Sequence, residues 1–249
     1  MSAHDFFDAC DAILRQIRQT QSGSIAEAAA RLADAMAAGH ALHFYDNGHC
    51  PGEPIGRAGG LMAIHPIGFS VSVSHPVPPQ HAEAEKARDE AEAPRRQEEN
   101  ARLAIERSHL RQGDCLLIMS VSGKNPVPVE MALRARERGV TVIAITSLAY
   151  SHTVESKHSS GKRLFEVADL VIDNCGVPGD ALLHLDGIAT HVAPSSGISG
   201  IYIIWALVSE LAARLVARGL TPSIWRSINL PGGPEYNEQV KQAYQQTGV

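Results

Sequence analysis

The chain has 249 residues, 44% of them hydrophobic, with 22 Lys+Arg against 27 Asp+Glu and a formal net charge of −5. That length suits one large α/β domain or a core with an appendage. Mild acidity and an aromatic content of 5% supply neither the basic footprint nor the stacking surface of a nucleic-acid binder.

Asp5, Asp8, Asp11, Arg15 and Arg18 interrupt the first twenty residues, so no signal peptide is expected. Apolar positions at helical spacing then run through Ile13, Leu14 and Ile17 and again through Ile25, Ala28, Ala29, Leu32 and Met36, predicting two antiparallel helices joined near Ser22-Gly23-Ser24. After Gly39, residues 41–45 predict a buried strand feeding the turn Asp46-Asn47-Gly48-His49-Cys50, the kind of junction where α/β sheets hold ligands. Pro51 suits a first helical position, predicting a short helix to about Leu61, followed by a strand at 62–65. Residues 69–79 predict a surface excursion that ends in Pro76-Val77-Pro78-Pro79.

Residues 83–111 carry eight acids and seven bases, which predicts a solvated helix broken near Pro94, or a mobile lid. The run Cys115-Leu116-Leu117-Ile118-Met119 has no polar alternation, as expected of a strand buried on both faces. A turn, a helix over 127–138, Gly139 and a strand over 140–146 complete a βαβ unit, and Leu170-Val171-Ile172 repeats the strand signature. Parallel strands in a doubly wound sheet follow. Residues 198–218 predict a long helix, apolar nearly all the way round; Ser209, Glu210 and Arg214 within it argue against a membrane span. Residues 221–249 form a polar arm with a last helix opening at Pro234-Glu235.

Cys10, Cys50, Cys115 and Cys175 are scattered without a CxxC pair, so neither a disulfide framework nor a zinc knuckle is expected and a reducing cytoplasm is the default.

The strongest chemical signal is Ser120-Val121-Ser122-Gly123-Lys124-Asn125 between strand and helix. Phosphate needs short donors converging from one side, which backbone N–H groups at a helix N-terminus supply together with the dipole. Ser120, Ser122, Gly123, Lys124 and Asn125 are therefore the candidate phosphate ligands. Helix capping alone would explain one of these polar residues, not four. Ser195 and Ser196, opening the long helix, are placed to donate to a sugar, although an N-cap accounts for one of them.

The order strand, Gly48 turn, strand, Ser-x-Ser-Gly-x-Asn, helix and strand, with SVSGKNPVPVEM at 120–131, GKRLFEVAD at 161–169, IDNCG at 172–176 and Gly179-Asp180-Ala181, resembles a sugar isomerase (SIS) domain of the UPF0309 branch. The resemblance covers roughly residues 39–218. It implies a three-layer α/β/α sandwich with a five-stranded parallel sheet, helices at 1–39 that pair subunits into a homodimer or homotetramer, an SIS domain at 40–220 with a charged helical excursion at 76–112, and a phosphosugar site between subunits. Asn47 and Gly48 would then face the sugar.

A second likeness bears on mechanism. Gly48-His49 followed by Glu53-Pro54-Ile55-Gly56-Arg57 is similar to a segment of phosphoheptose isomerases. That similarity implies Glu53 as a general base moving a proton between adjacent carbons through an enediolate. As a first-turn carboxylate, Glu53 also has a purely dipolar reason to be there. In the last long helix, where those isomerases carry a glutamine and a histidine, this chain has Ile201, Ile203, Ile204, Trp205 and Leu207. His158, in the loop after the 140–146 strand, is the first candidate for ring opening and His49 the second. His49 and Glu53, at i and i+4, would share a helix face as zinc ligands, but two donors are too few, and no cofactor is expected to be required. A lyase using Glu130 as second acid, or a non-catalytic sugar-phosphate sensor, are the alternatives.

Overall fold

The computed structural model describes residues 3–50 and 52–249. Five parallel strands form one sheet in the order β2-β1-β3-β4-β5: β1 (Leu42–Asp46), β2 (Ile64–Pro66), β3 (Cys115–Met119), β4 (Thr141–Thr146) and β5 (Leu170–Asp173). The period of two in a strand sorts their side chains into two cores. Cys115, Leu117 and Met119 join Leu42, Phe44, Ile143 and Ile145 on one face, whereas Leu116 and Ile118 join Val142 and Ala144 on the other.

The first core is covered by α1 (Ala3–Thr20), α2 (Ser22–Ala37) and α6 (Ser196–Ala217), the second by α3 (Ala82–Arg107) and α4 (Pro126–Glu137). The three-layer α/β/α sandwich expected of an SIS fold is thus the fold of this chain. α6 lies so close to β3 that a Cβ at Gly200 would come within 2.8 Å of the Met119 Sδ. The N-terminal helices and the C-terminal Val249 belong to the same core as the sheet.

Four expectations are corrected. Residue 51 lies outside the described residues, and 52–60 form successive turns rather than a helix; Gly52, Gly56 and Gly59 all have positive φ, which the αR backbone excludes. The charged helix α3 runs unbroken through Pro94. Its N-terminal two-thirds is exposed, so water can serve the carbonyl freed at Glu90, and the i,i+4 pairs Arg96–Glu92 at 3.0 Å and Arg95–Glu99 at 2.9 Å flank the proline.

α6 is buried on one face only: Ile198, Tyr202 and Val216 are exposed. It has the length and hydropathy to cross a membrane, yet Ile203, Leu207, Leu211 and Leu215 are spent in the core against α1 and α2. Finally, a short helix α5 (Leu148–His152) and an antiparallel hairpin, β6 (Ala181–Leu183) with β7 (Val192–Pro194), lie where no regular structure was expected. A last helix, α7 (Gly233–Thr247), docks the arm through Tyr244 Oη, 2.6 Å from His65 Nε2.

Candidate functional site

At the C-terminal end of β3 the chain turns through residues 120–125 into α4. Every carbonyl from Val121 to Lys124 is claimed from the protein side. Ser147 N–H and Thr146 Oγ1 donate to Val121 O at 2.9 and 3.0 Å, Ser151 Oγ to Ser122 O at 2.8 Å, Leu164 N–H to Gly123 O at 2.8 Å and Lys157 N–H to Lys124 O at 2.9 Å. The N–H groups of Ser122, Gly123, Lys124 and Asn125 have no acceptor among the described residues.

A turn with its carbonyls anchored inward and its amides free is an anion-binding nest at the positive end of a helix. Gly123 is required by it: φ is +60°, and a Cβ would come 3.1 Å from Thr146 Oγ1 and 3.2 Å from Leu164 Cβ. Ser120 Oγ is buried with no hydrogen-bond partner among the described residues. Asn125 opens α4 with an extended backbone, but its side chain makes no capping bond, and Lys124 makes no ion pair among the described residues.

The neighbouring strand β1 delivers His49. Asp46 shapes this turn by accepting from His49 N–H and Cys50 N–H, each at 3.0 Å, while Gly48 adopts φ +92°. Asn47 N–H donates to Met119 O at 2.9 Å, tying the β1 turn to the end of β3.

The His49 ring sits between the turn at 120–125 and the start of α6. Val121 N–H points at Nε2 at 3.4 Å, and Nδ1 lies 3.3 Å from Ser196 Oγ, which donates to Asp180 Oδ2 at 2.6 Å. These bonds select one tautomer. Nε2 accepts, so Nδ1 carries the proton and donates to Ser196, which passes its own hydrogen to the carboxylate. Asp180 Oδ1 meanwhile accepts from the N–H groups of Ser195 at 3.2 Å and Ser196 at 2.8 Å. Ser195 therefore does not cap α6 with its own side chain; Asp180 does so from the hairpin.

A cavity of about 940 Å³ opens over this group, with His49, Gly48, Asp180 and Ser196 at one end and Ile201, Tyr202 and Trp205 of α6 at the other. The thiol of Cys50 lies 3.2 Å from Met119 Sδ, and burial, then the charge of Asp46, push it up to about 12, so it is no nucleophile here.

Two further candidates make their own side-chain contacts. Glu53 lies in the turns after β1, a quarter exposed, with Oε1 3.4 Å from Arg57 Nη2. Because that segment is not a helix, the i,i+4 spacing of His49 and Glu53 does not create a shared face. Among the described residues no group of three or more His, Cys, Asp or Glu converges to hold a metal, so His49 and Glu53 do not make a zinc donor set.

His158 is buried. Its Nε2 is 2.9 Å from Glu130 Oε2, and its Nδ1 accepts from Ser160 N–H at 3.0 Å. Glu130 is also paired with Arg134 at 2.8 Å. This ring ties the 153–161 loop onto α4.

A family model described as the SIS domain matches residues 5–147. The chain is 36% identical to a UPF0309 protein of Shouchella clausii over 96% of this chain and 95% of the relative, and 37% identical to one from Oceanobacillus iheyensis over 93% and 92%.

The chain belongs to the UPF0309 family of SIS-domain proteins.

A UPF0309 protein of Streptomyces griseus is 36% identical over 97% of the chain. The fold of this UPF0309 chain is shared with a phosphoheptose isomerase from Francisella tularensis (TM-score 0.50, 14% identity, 86% of this chain and 100% of that one). It is shared equally with one from Neisseria gonorrhoeae (TM-score 0.50, 15% identity, 85% and 96%).

Within this UPF0309 chain, the turn at 120–125, Asn47, Gly48, His49 and Ser196, picked out from the sequence, lie at one end of the sheet, and Asp180, Thr146 and Ser151, which bond to them, were not picked out as site residues. Asp180 was visible only as part of a family motif, since its partners are 15 and 16 residues downstream and no local spacing announces the contact.

Proposed function

We propose that this protein binds a phosphorylated sugar at the C-terminal end of the sheet and isomerises it between aldose and ketose. The observation that carries the reading is the turn at 120–125, with four N–H groups, a lysine and a buried hydroxyl that have no partner among the described residues. The phosphate sits in that nest with Ser120, Ser122, Gly123, Lys124 and Asn125 around it. The sugar extends past Asn47, Gly48 and His49 toward Ser195 and Ser196.

Glu53 takes the proton from the carbon beside the carbonyl and returns it to the neighbouring carbon, while His49, oriented by Ser196 and Asp180, exchanges a proton with the sugar oxygens. Its fixed tautomer leaves Nε2 as the basic nitrogen on the side of the phosphate turn. The same reading extends to self-association as a homodimer or homotetramer in the cytoplasm, the exposed apolar side chains Ile198 and Tyr202 beside the cavity being candidates for the contact.

A lyase needs a second acid, and Glu130 is committed to His158 and Arg134. The competing reading is a non-catalytic sensor, favoured by the pairing of Glu53 with Arg57.

A thermal-shift screen of hexose, amino-sugar and heptose phosphates tests binding, since a ligand at one hundred times its Kd adds about 2.7 kcal/mol. Deuterium exchange from solvent into the C–H of a stabilising sugar phosphate tests the chemistry. Exchange that vanishes in Glu53→Gln while the thermal shift persists is expected. Binding without exchange in the unaltered protein would establish the sensor instead.

A further inference from the structure

The opposite end of the sheet holds a second cavity, of about 730 Å³, lying under α3 and residues 65–71 at the start of β1 and β3. None of its lining residues belongs to the phosphate turn or to the His49 group. Asp114 and Ser120 flank the five residues of β3, so they stand six residue steps apart, roughly 20 Å at strand rise. Its volume falls within the range of small-molecule sites.

The charge on its wall is one-sided. Arg107 and Arg111 both line it, and neither guanidinium has an ion-pair partner among the described residues; Glu106, adjoining in sequence, is taken by Arg102. The acid present, Asp114, is buried and satisfied: Oδ1 accepts from Ala41 N–H at 2.9 Å, and Oδ2 accepts from Arg111 N–H at 2.9 Å and from His43 Nε2 at 3.2 Å. The rings of His43 and His65 stand 5.8 Å apart along the same wall. Leu103 and Phe69 line the cavity as well, giving it an apolar surface beside the two cations.

Two unpaired arginines next to an apolar wall match an amphipathic anion, because guanidinium groups fix a carboxylate or phosphate with charge-assisted bonds while the wall desolvates the remainder. We propose that this cavity is a second ligand site, separate from the phosphosugar site, for a small organic anion that carries one carboxylate or phosphate group on an aromatic or branched apolar body.

Titration of the protein, ¹⁵N-labelled at histidine, with phenyl phosphate and in a second arm with benzoate tests this through the ring resonances of His43 and His65. A saturable shift of both rings with either probe is expected, weakened about tenfold by Arg107→Ala or by Arg111→Ala, as loss of one charge-assisted bond implies. Leu103→Trp, which fills the cavity without altering its charge, is expected to abolish the shift. Ser122→Ala, which alters the phosphate turn, is expected to leave it intact, so this site and the phosphosugar reading can fail independently. No saturable shift with either probe, a shift unaffected by the arginine and Leu103 variants, or equally tight binding of inorganic phosphate would overturn the proposal.

Discussion

The carboxylate of Asp180 accepts from Ser196 Oγ at 2.6 Å and, through its other oxygen, from the first N–H groups of α6, so one side chain both caps the helix and orients His49. It does so from a left-handed backbone, φ +67°, at the start of the β6 hairpin. Asp180→Ala is expected to cost about 1–2 kcal/mol, the range for a lost N-cap, seen as a lower denaturant midpoint with an unchanged slope. The His49 ring is expected to lose its single tautomer, visible in its ¹⁵N shifts. A normal His49 spectrum in this variant would mean that the relay does not set the ring.

Ser120→Ala separates stability from binding by sign. Its hydroxyl is buried without a partner among the described residues, and an unsatisfied buried polar group costs about 1–3 kcal/mol. Removing it is expected to leave the free protein as stable or more stable in urea while shrinking the thermal shift given by a sugar phosphate. Destabilisation together with unchanged ligand response would show that the hydroxyl has a structural partner and no ligand role.

Gly123→Ala is expected to damage both. An L-residue at φ +60° pays roughly 1–2 kcal/mol, and its Cβ would meet Thr146 and Leu164 at 3.1 and 3.2 Å. Since the same glycine holds the amide nest, the ligand-induced shift should disappear even under conditions where circular dichroism shows the variant to be folded.

The legible parts of this molecule were those written in local pattern. Continuous apolar runs announced β3 and β4, the 3.6 period announced α1 and α2, and Ser122-Gly123 between strand and helix announced the nest. The turns at 52–60 were misread because Pro51 and Glu53 imitate a helix start while the glycines that forbid one give no periodic signal. Pro94 was overweighted: a proline stops a helix by its missing N–H and its ring, and on an exposed stretch flanked by ion pairs that cost is tolerated. His158 was correctly located after β4, but that Glu130 would claim its ring depended on a contact across 28 residues. Asp180 was hidden for the same reason.

The cysteines are expected to be slow toward thiol reagents in the folded state. Burial pushes Cys115 and Cys175 up to about 11 and Cys50 to about 12, each helped by a neighbouring aspartate, and Cys10 is raised as well. Since the thiolate is the reactive form, a disulfide reagent at neutral pH should label all four only at the rate of unfolding. Rapid labelling of any one of them in native buffer would contradict this.

Stability is expected to fall as the solution is acidified, in two stages. Burial lowers the pKa of His65, assisted by His43 and opposed by Asp114, so the folded state holds the neutral ring. The unfolded chain takes up a proton at about pH 6.5, and stability declines from there until the lowered folded value is passed. Burial alone would raise Asp114, but N–H groups of Ala41 and Arg111 and the His43 ring outweigh it and hold the carboxyl below its usual range. Its contribution is complete above the ordinary carboxylate pKa and is lost as pH falls through the depressed folded value. Urea midpoints across this range should therefore drop first near the histidine and again in acid. His65→Gln should remove the first step only, and Asp114→Asn, less stable at neutral pH, should flatten the second.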